Sequence, residues 1–171
     1  MILSKAGSPD VWVCNIDGTN LRQLTKTRED ESSPCWSPKG DRICYASRPN
    51  ERRGLYLISA NGGQPTRLNT GGYPNPSEPD WSPDGRTIVY TSQRSGGFDL
   101  AITEVQTGRS ELLVAGEDPA WAPNSRTVIF TKRVGKGNAE KRVLSLLDVP
   151  TKRVKDTPQI SGSRSQPSWA K

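Results

Sequence analysis

The 171-residue sequence has no histidine, one methionine and only three cysteines. Without an imidazole the usual Ser-His-Asp and Cys-His nucleophilic arrangements cannot be assembled. The histidine-containing metalloprotease pattern and the Gly-Lys-Ser/Thr phosphate loop are missing as well. Cys14, Cys35 and Cys44 leave at least one thiol unpaired in a monomer, and their spacing matches neither a zinc knuckle nor a redox Cys-x-x-Cys. Free thiols are expected, with a Cys35–Cys44 bridge across one hairpin as the alternative. No window approaches the roughly 18 apolar residues that cross a bilayer, so no integral membrane segment is expected. The first eight residues, Met1 to Ser8, contain no long apolar run of the signal-peptide kind, which leaves export open.

What is present is turn chemistry and tryptophan. Gly 16, Pro 14 and Trp 5, with hydrophobic residues at 32%, describe a turn-rich chain of many short strands rather than packed helices. The length fits one domain. Lys and Arg exceed Asp and Glu by 24 to 18, for a formal charge of +6. Such a balance can attract anionic partners at long range. The basic residues are scattered, however, except between Lys132 and Arg142 and between Lys152 and Lys155. A solvated surface is therefore expected rather than a nucleic-acid interface, and the stretch from Lys132 to Arg142 is expected to be a solvated loop or an arm for an anionic partner.

An internal repeat organises the chain. Trp36-Ser37-Pro38-Lys39-Gly40, Trp81-Ser82-Pro83-Asp84-Gly85 and Trp121-Ala122-Pro123-Asn124-Ser125 each precede a β-branched and aromatic run, and a further tryptophan, Trp169, follows Gln166-Pro167-Ser168. The intervals of 45, 40 and 48 residues suit a four-stranded propeller blade. Within each unit, Pro fixes φ, Asp bonds nearby backbone and Gly tolerates positive φ, giving a tight turn before the next strand. Continuous apolar runs such as Leu55-Tyr56-Leu57-Ile58 suit strands buried on both faces, as between two neighbouring blades.

The expected fold is an all-β propeller of four blade-equivalents. Residues 1–25 supply three strands of a first blade, 34–70, 79–115 and 119–156 three complete blades, and 165–171 the inner strand that closes the first, so that one blade is shared by both termini. Closure would cover the apolar faces left open at the ends of the array. The alternatives are a larger ring joined from two chains and a fragment of a longer propeller. Trp36, Trp81, Trp121 and Trp169 are expected to wedge between blades as structural residues.

These units resemble the WD40-like PD40 repeats of the TolB family, on Pro34-Cys35-Trp36-Ser37-Pro38-Lys39-Gly40, Pro79-Asp80-Trp81-Ser82-Pro83-Asp84-Gly85, Pro119-Ala120-Trp121-Ala122-Pro123-Asn124-Ser125 and the half-motif Gln166-Pro167-Ser168-Trp169-Ala170. The resemblance covers nearly the whole chain. It implies a propeller whose relatives include a periplasmic component of a trans-envelope complex, binding a peptidoglycan-associated lipoprotein, and propellers attached to peptidases and sensors. Full TolB proteins carry an additional N-terminal domain and six blades, where four blade-equivalents are read here. A periplasmic setting follows only if the chain shares that role.

Loops entering the innermost strands converge on one axial face. Glu31, Glu78, Glu117, Asp118 and Gln166 are therefore expected to form a polar rim that recognises a peptide or protein through several modest hydrogen bonds. The function read from this is a non-catalytic binding scaffold, with no catalytic residue, cofactor or metal assigned. Alternatives are a small-ligand module, a structural fragment that oligomerises, for instance as a homodimer completing a larger ring, and, weakest, a carboxylate-based hydrolase using a pair such as Glu31 and Glu78. A carboxylate rim could also attract Ca²⁺, but no Asp-rich calcium loop is present.

Overall fold

A computed structural model describes residues 1–135, 140–158 and 167–169. Fifteen strands are assigned among them. In chain order they are β1 (Ile2–Ala6), β2 (Ser8–Val13), β3 (Arg22–Gln23), β4 (Ser32–Trp36), β5 (Arg42–Ser47), β6 (Gly54–Ser59), β7 (Thr66–Arg67), β8 (Pro76–Trp81), β9 (Thr87–Arg94), β10 (Gly97–Glu104), β11 (Ser110–Ala115), β12 (Glu117–Trp121), β13 (Thr127–Val134), β14 (Lys141–Asp148) and β15 (Arg153–Asp156). They form four antiparallel sheets in which every strand pairs with its sequence neighbour: β1-β2-β3, β4-β5-β6-β7, β8-β9-β10-β11 and β12-β13-β14-β15.

The turn after each inner strand explains the repeat's grammar. The amide of Gly40 bonds Ser37 O at 2.9 Å, and that of Gly85 bonds Ser82 O at 2.8 Å. Both glycines hold positive φ, 69° and 73°. In the fourth sheet Ser125 takes the same conformation at φ 51° and bonds Ala122 O. The following strand then buries almost every side chain: Ile43 to Ser47 in β5 and Ile88 to Ser92 in β9. Burial on both faces means the core lies between sheets, not inside one.

Three joints result. Val11 and Val13 of the first sheet meet Ile43, Tyr45 and Ile58 of the second. Cys44, Leu55 and Leu57 of the second meet Trp81, Ile88 and Tyr90 of the third. Val89, Leu100 and Leu113 of the third meet Trp121, Val128, Phe130 and Leu147 of the fourth. The inner tryptophans of the third and fourth blades thus pack on the blade before them. Trp81 and Trp121 are only 2% and 3% exposed. Trp36 departs from the wedge role, at 49% exposed. The blade before it carries three strands among the described residues, so the inner strand that would cover this ring is not among them.

Residues 165, 166, 170 and 171 of the expected closing segment lie outside the described residues, and Pro167, Ser168 and Trp169 carry no strand. Trp169 is half-buried beside the inner strands of the third and fourth sheets. Cys35 and Cys44 oppose each other in the β4–β5 register, yet they form no disulfide, nor does Cys14.

Candidate functional site

Three inner strands share one irregularity that aims their side chains. The register of β4 on β5 shifts between Ser32 and Cys35, that of β8 on β9 between Ser77 and Asp80, and that of β12 on β13 between Glu117 and Ala120. At the same place, three residues before each tryptophan, a non-glycine residue adopts positive φ: Ser33 at 51°, Glu78 at 52° and Asp118 at 54°. Such a conformation costs roughly 1–3 kcal/mol per residue and marks a bulge that re-aims a side chain. Its recurrence makes it part of the blade design.

The bulges open onto a cavity of about 260 Å³ that gathers Ser33, Glu78, Asp80, Asp118, Trp121 and Trp169. Two carboxylates at its wall are tied to the next blade. Glu78 Oε2 accepts the Asp118 amide at 3.1 Å and the Thr91 hydroxyl at 2.6 Å. Asp80 Oδ2 accepts the Trp121 amide at 2.7 Å. Asp118 Oδ2 in turn accepts the Thr131 hydroxyl at 3.3 Å. Charged acceptors of this kind give the stronger class of hydrogen bond. Those of Glu78 and Asp80 tie the inner strands of the third and fourth blades together beside the cavity. The indole N–H groups of Trp121 and Trp169 have no hydrogen-bond partner, a condition shared by Trp12 and Trp81.

The expected rim is only partly assembled. Glu78 and Asp118 line the cavity. Gln166 lies outside the described residues. Glu31 does not face the axis, because it is 1% exposed inside the first joint. There its carboxylate accepts the hydroxyls of Thr27 at 2.8 Å, Thr25 at 3.0 Å and Ser47 at 3.3 Å. Burial pushes its pKa above the ordinary range, and the adjacent Asp10 adds to this, while the Thr27 and Thr25 hydroxyls oppose it. Glu117 also turns away, held by Arg133 at 3.2 Å and Arg142 at 3.3 Å. The bulge separates it from its neighbour Asp118.

Asp80, Trp121 and Trp169 were absent from the expected rim although they line the cavity. A signal for the rim existed in the repeat itself. Five residues before the tryptophan stand Glu31, Pro76 and Gly116, and all are buried. A position that accepts proline and glycine in sister units belongs to packing, not to a rim.

Other surfaces are more self-compensated. In the Lys132–Arg142 stretch Lys132 bonds Asp156 at 2.8 Å and Arg133 also reaches Glu140 at 3.2 Å, while residues 136–139 lie outside the described residues. A cleft of about 710 Å³ on the tight-turn side is lined by Lys39, Arg42 and Arg86 against Asp41, Asp84 and Glu104. Among the described residues no group of three or more His, Cys, Asp or Glu side chains could hold a metal ion. No helix there is long and apolar enough to cross a membrane.

Comparison with known proteins agrees with this architecture. A solved structure described as a TolB of Agrobacterium tumefaciens superposes with a TM-score of 0.73 at 23% identity, over 89% of this chain and 57% of that one. The Tol-Pal system protein TolB of Thioalkalivibrio sulfidiphilus is 36% identical over 56 residues, 33% of this chain and 13% of that protein. The TolB homolog of Chlorobaculum tepidum is 30% identical over 71 residues, 42% of this chain and 16% of that protein. The matched stretches therefore span a small part of the curated relatives' own length. The PD40 family model, described as the TolB beta propeller domain, matches residues 1–171, and the chain belongs to this TolB-type PD40 propeller family.

Proposed function

We propose that the chain is a non-catalytic propeller scaffold that captures a protein or peptide segment at the cavity on the inner strands. The observation that carries this reading is the pairing of Glu78, Asp80 and Asp118 with two tryptophans, Trp121 and Trp169, around one opening. The indoles offer apolar plates, and the carboxylates offer acceptors for backbone amides. At about 260 Å³ the cavity falls below the roughly 300–1,000 Å³ of drug-sized pockets, which favours one or two side chains of an extended segment over a whole small ligand. The sequence holds no histidine for a nucleophile–base pair, which supports a binding role over a hydrolytic one.

The relatives are named as Tol-Pal system proteins, and a periplasmic setting with an envelope protein as partner is the reading that resemblance supports. A second reading, assembly of two copies into a larger ring, draws on the exposed ring of Trp36 beside a first sheet of three described strands. Solution mass separates the two: a concentration-independent monomer argues against the joined ring.

Selection of peptides from a displayed library on the purified chain, followed by calorimetry, tests the scaffold reading. Ser33→Trp, which fills the cavity, and Trp169→Ala, which removes one plate, are each expected to weaken the selected peptides at least tenfold. Unchanged binding by both variants would reject the site.

A further inference from the structure

One position of the blade is an aspartate in the first and third sheets, Val143 in the fourth and a bare glycine in the second. The third sheet pairs Ser92 with Asp99, the second pairs Ser47 with Gly54, and the first pairs Leu3 with Asp10. Counted from the shared tryptophan register, Asp99 and Gly54 are equivalent, and Asp10 holds the corresponding place in the first sheet. Both aspartates are buried and both have donors. Asp99 is ion-paired with Arg94, whose Nη2 donates at 3.0 Å. Asp10 accepts the side-chain amide of Gln23 at 2.8 Å.

The donor survives in the second sheet although the acceptor is gone. Gln23 stands opposite Trp12 on the outer strand of the first sheet, and Arg67 stands opposite Tyr56 on the outer strand of the second. Arg67 thus occupies the place of Gln23, and its guanidinium lies over Gly54. A Cβ on Gly54 would come within 2.9 Å of Arg67 Nε and 3.4 Å of its Nη2. Where the first sheet brings an amide to an aspartate, the second brings a guanidinium to bare backbone.

This guanidinium opens onto a cleft of about 570 Å³ between the second and third sheets, which also presents Arg52 and Arg53. Glu51 is the one carboxylate among its described lining residues. None of the three arginines is ion-paired with another described residue. A guanidinium fork matches a carboxylate with two parallel hydrogen bonds, which gives arginine its advantage at such sites.

We propose that this cleft is a second binding site, distinct from the inner-strand cavity, for an acidic peptide segment whose carboxylates pair with its three guanidinium groups. Arg67 engages one carboxylate from the cleft side, while Arg52 and Arg53 engage neighbouring acidic groups.

The probe is a fluorescein-labelled hexaglutamate peptide, followed by anisotropy at low ionic strength with the full chain. Saturable binding is expected, weakened at least tenfold by Arg67→Ala and by Gly54→Asp. The latter supplies an internal carboxylate beside the guanidinium, and its nearest neighbours, the Arg67 and Tyr56 side chains, must shift to admit it. Gln93→Glu, which makes the same change in charge on an exposed strand end, should weaken binding less than twofold, and Ser33→Trp in the inner cavity should leave it unchanged. Loss of saturation in the wild type, equal weakening by Gly54→Asp and Gln93→Glu, or full binding by Arg67→Ala would each overturn the site. Displacement of the peptide by inorganic phosphate far more readily than by acetate would overturn the carboxylate assignment.

Discussion

The joint between the second and third sheets is an apolar cluster, whereas the joint between the first and second buries two carboxyl groups. In the apolar joint Trp81 sits among Cys44, Leu55, Leu57 and Ile88, with the Arg42 guanidinium 5.1 Å from its ring centroid. In the polar joint Asp10 and Glu31 are both buried, and the Thr25 hydroxyl lies 3.3 Å from one and 3.0 Å from the other. That hydroxyl has one proton for two acceptors. Trp36, the counterpart of Trp81, faces largely outward. The same motif therefore yields opposite burial in two places. A tryptophan is a wedge only when a preceding inner strand and its apolar neighbours enclose it.

The largest expected break in this comparison is Trp81→Ala. Loss of a buried aromatic leaves a cavity and should cost about 3–5 kcal/mol in urea denaturation, against under about 1 kcal/mol for Trp36→Ala. Equal costs would show that the two tryptophans pack alike in solution.

Next comes Asp80→Ala at the third joint, which strips the Trp121 amide of its acceptor. An unsatisfied donor in such a place costs about 1–3 kcal/mol, visible in the same denaturation curves. An unaltered midpoint would mean that the amide finds another partner.

A smaller effect probes the polar joint by pH. The folded state holds the Glu31 proton more tightly than the unfolded chain does, because its pKa is raised on folding. Glu31 therefore favours folding most when protonated. That contribution is lost as pH rises from the ordinary glutamate value of 4.5 through the raised folded value. Glu31→Gln should flatten this fall in melting temperature, and a profile identical to wild type would remove Glu31 as its source.

The smallest effect lies away from any joint. Hydrogen bonds from Arg126 and Thr151 hold the Asp148 carboxyl at about 2, below its ordinary 3.8. Its contribution is present above 3.8 and disappears as pH falls toward 2. Asp148→Asn should abolish that modest acid-side decline and lower the melting temperature slightly and evenly above pH 4.5, leaving the pH dependence there unchanged, since solvent screens so exposed a pair.

The all-β architecture and the family were legible because tryptophan, tight turn and apolar strand recur together. The rim was harder. Glu31 reads as a polar loop residue, yet its sister positions hold Pro76 and Gly116, which betray a buried site. Glu117 and Asp118 are adjacent in sequence, and only the bulge with positive φ at Asp118 sends one toward the cavity and leaves the other with Arg133. Alternation along an ideal strand cannot forecast this, because an inserted residue resets which face each side chain takes.

The sequence by itself determined the repeating blade, since turn geometry and two-faced burial are local consequences of Pro, Gly and β-branched residues. Tertiary structure alone decided which carboxylates meet a cavity, which vanish into a joint and which guanidinium lies over bare backbone. Those outcomes depend on contacts between sheets about 40 residues apart in the chain, and no local pattern carries them.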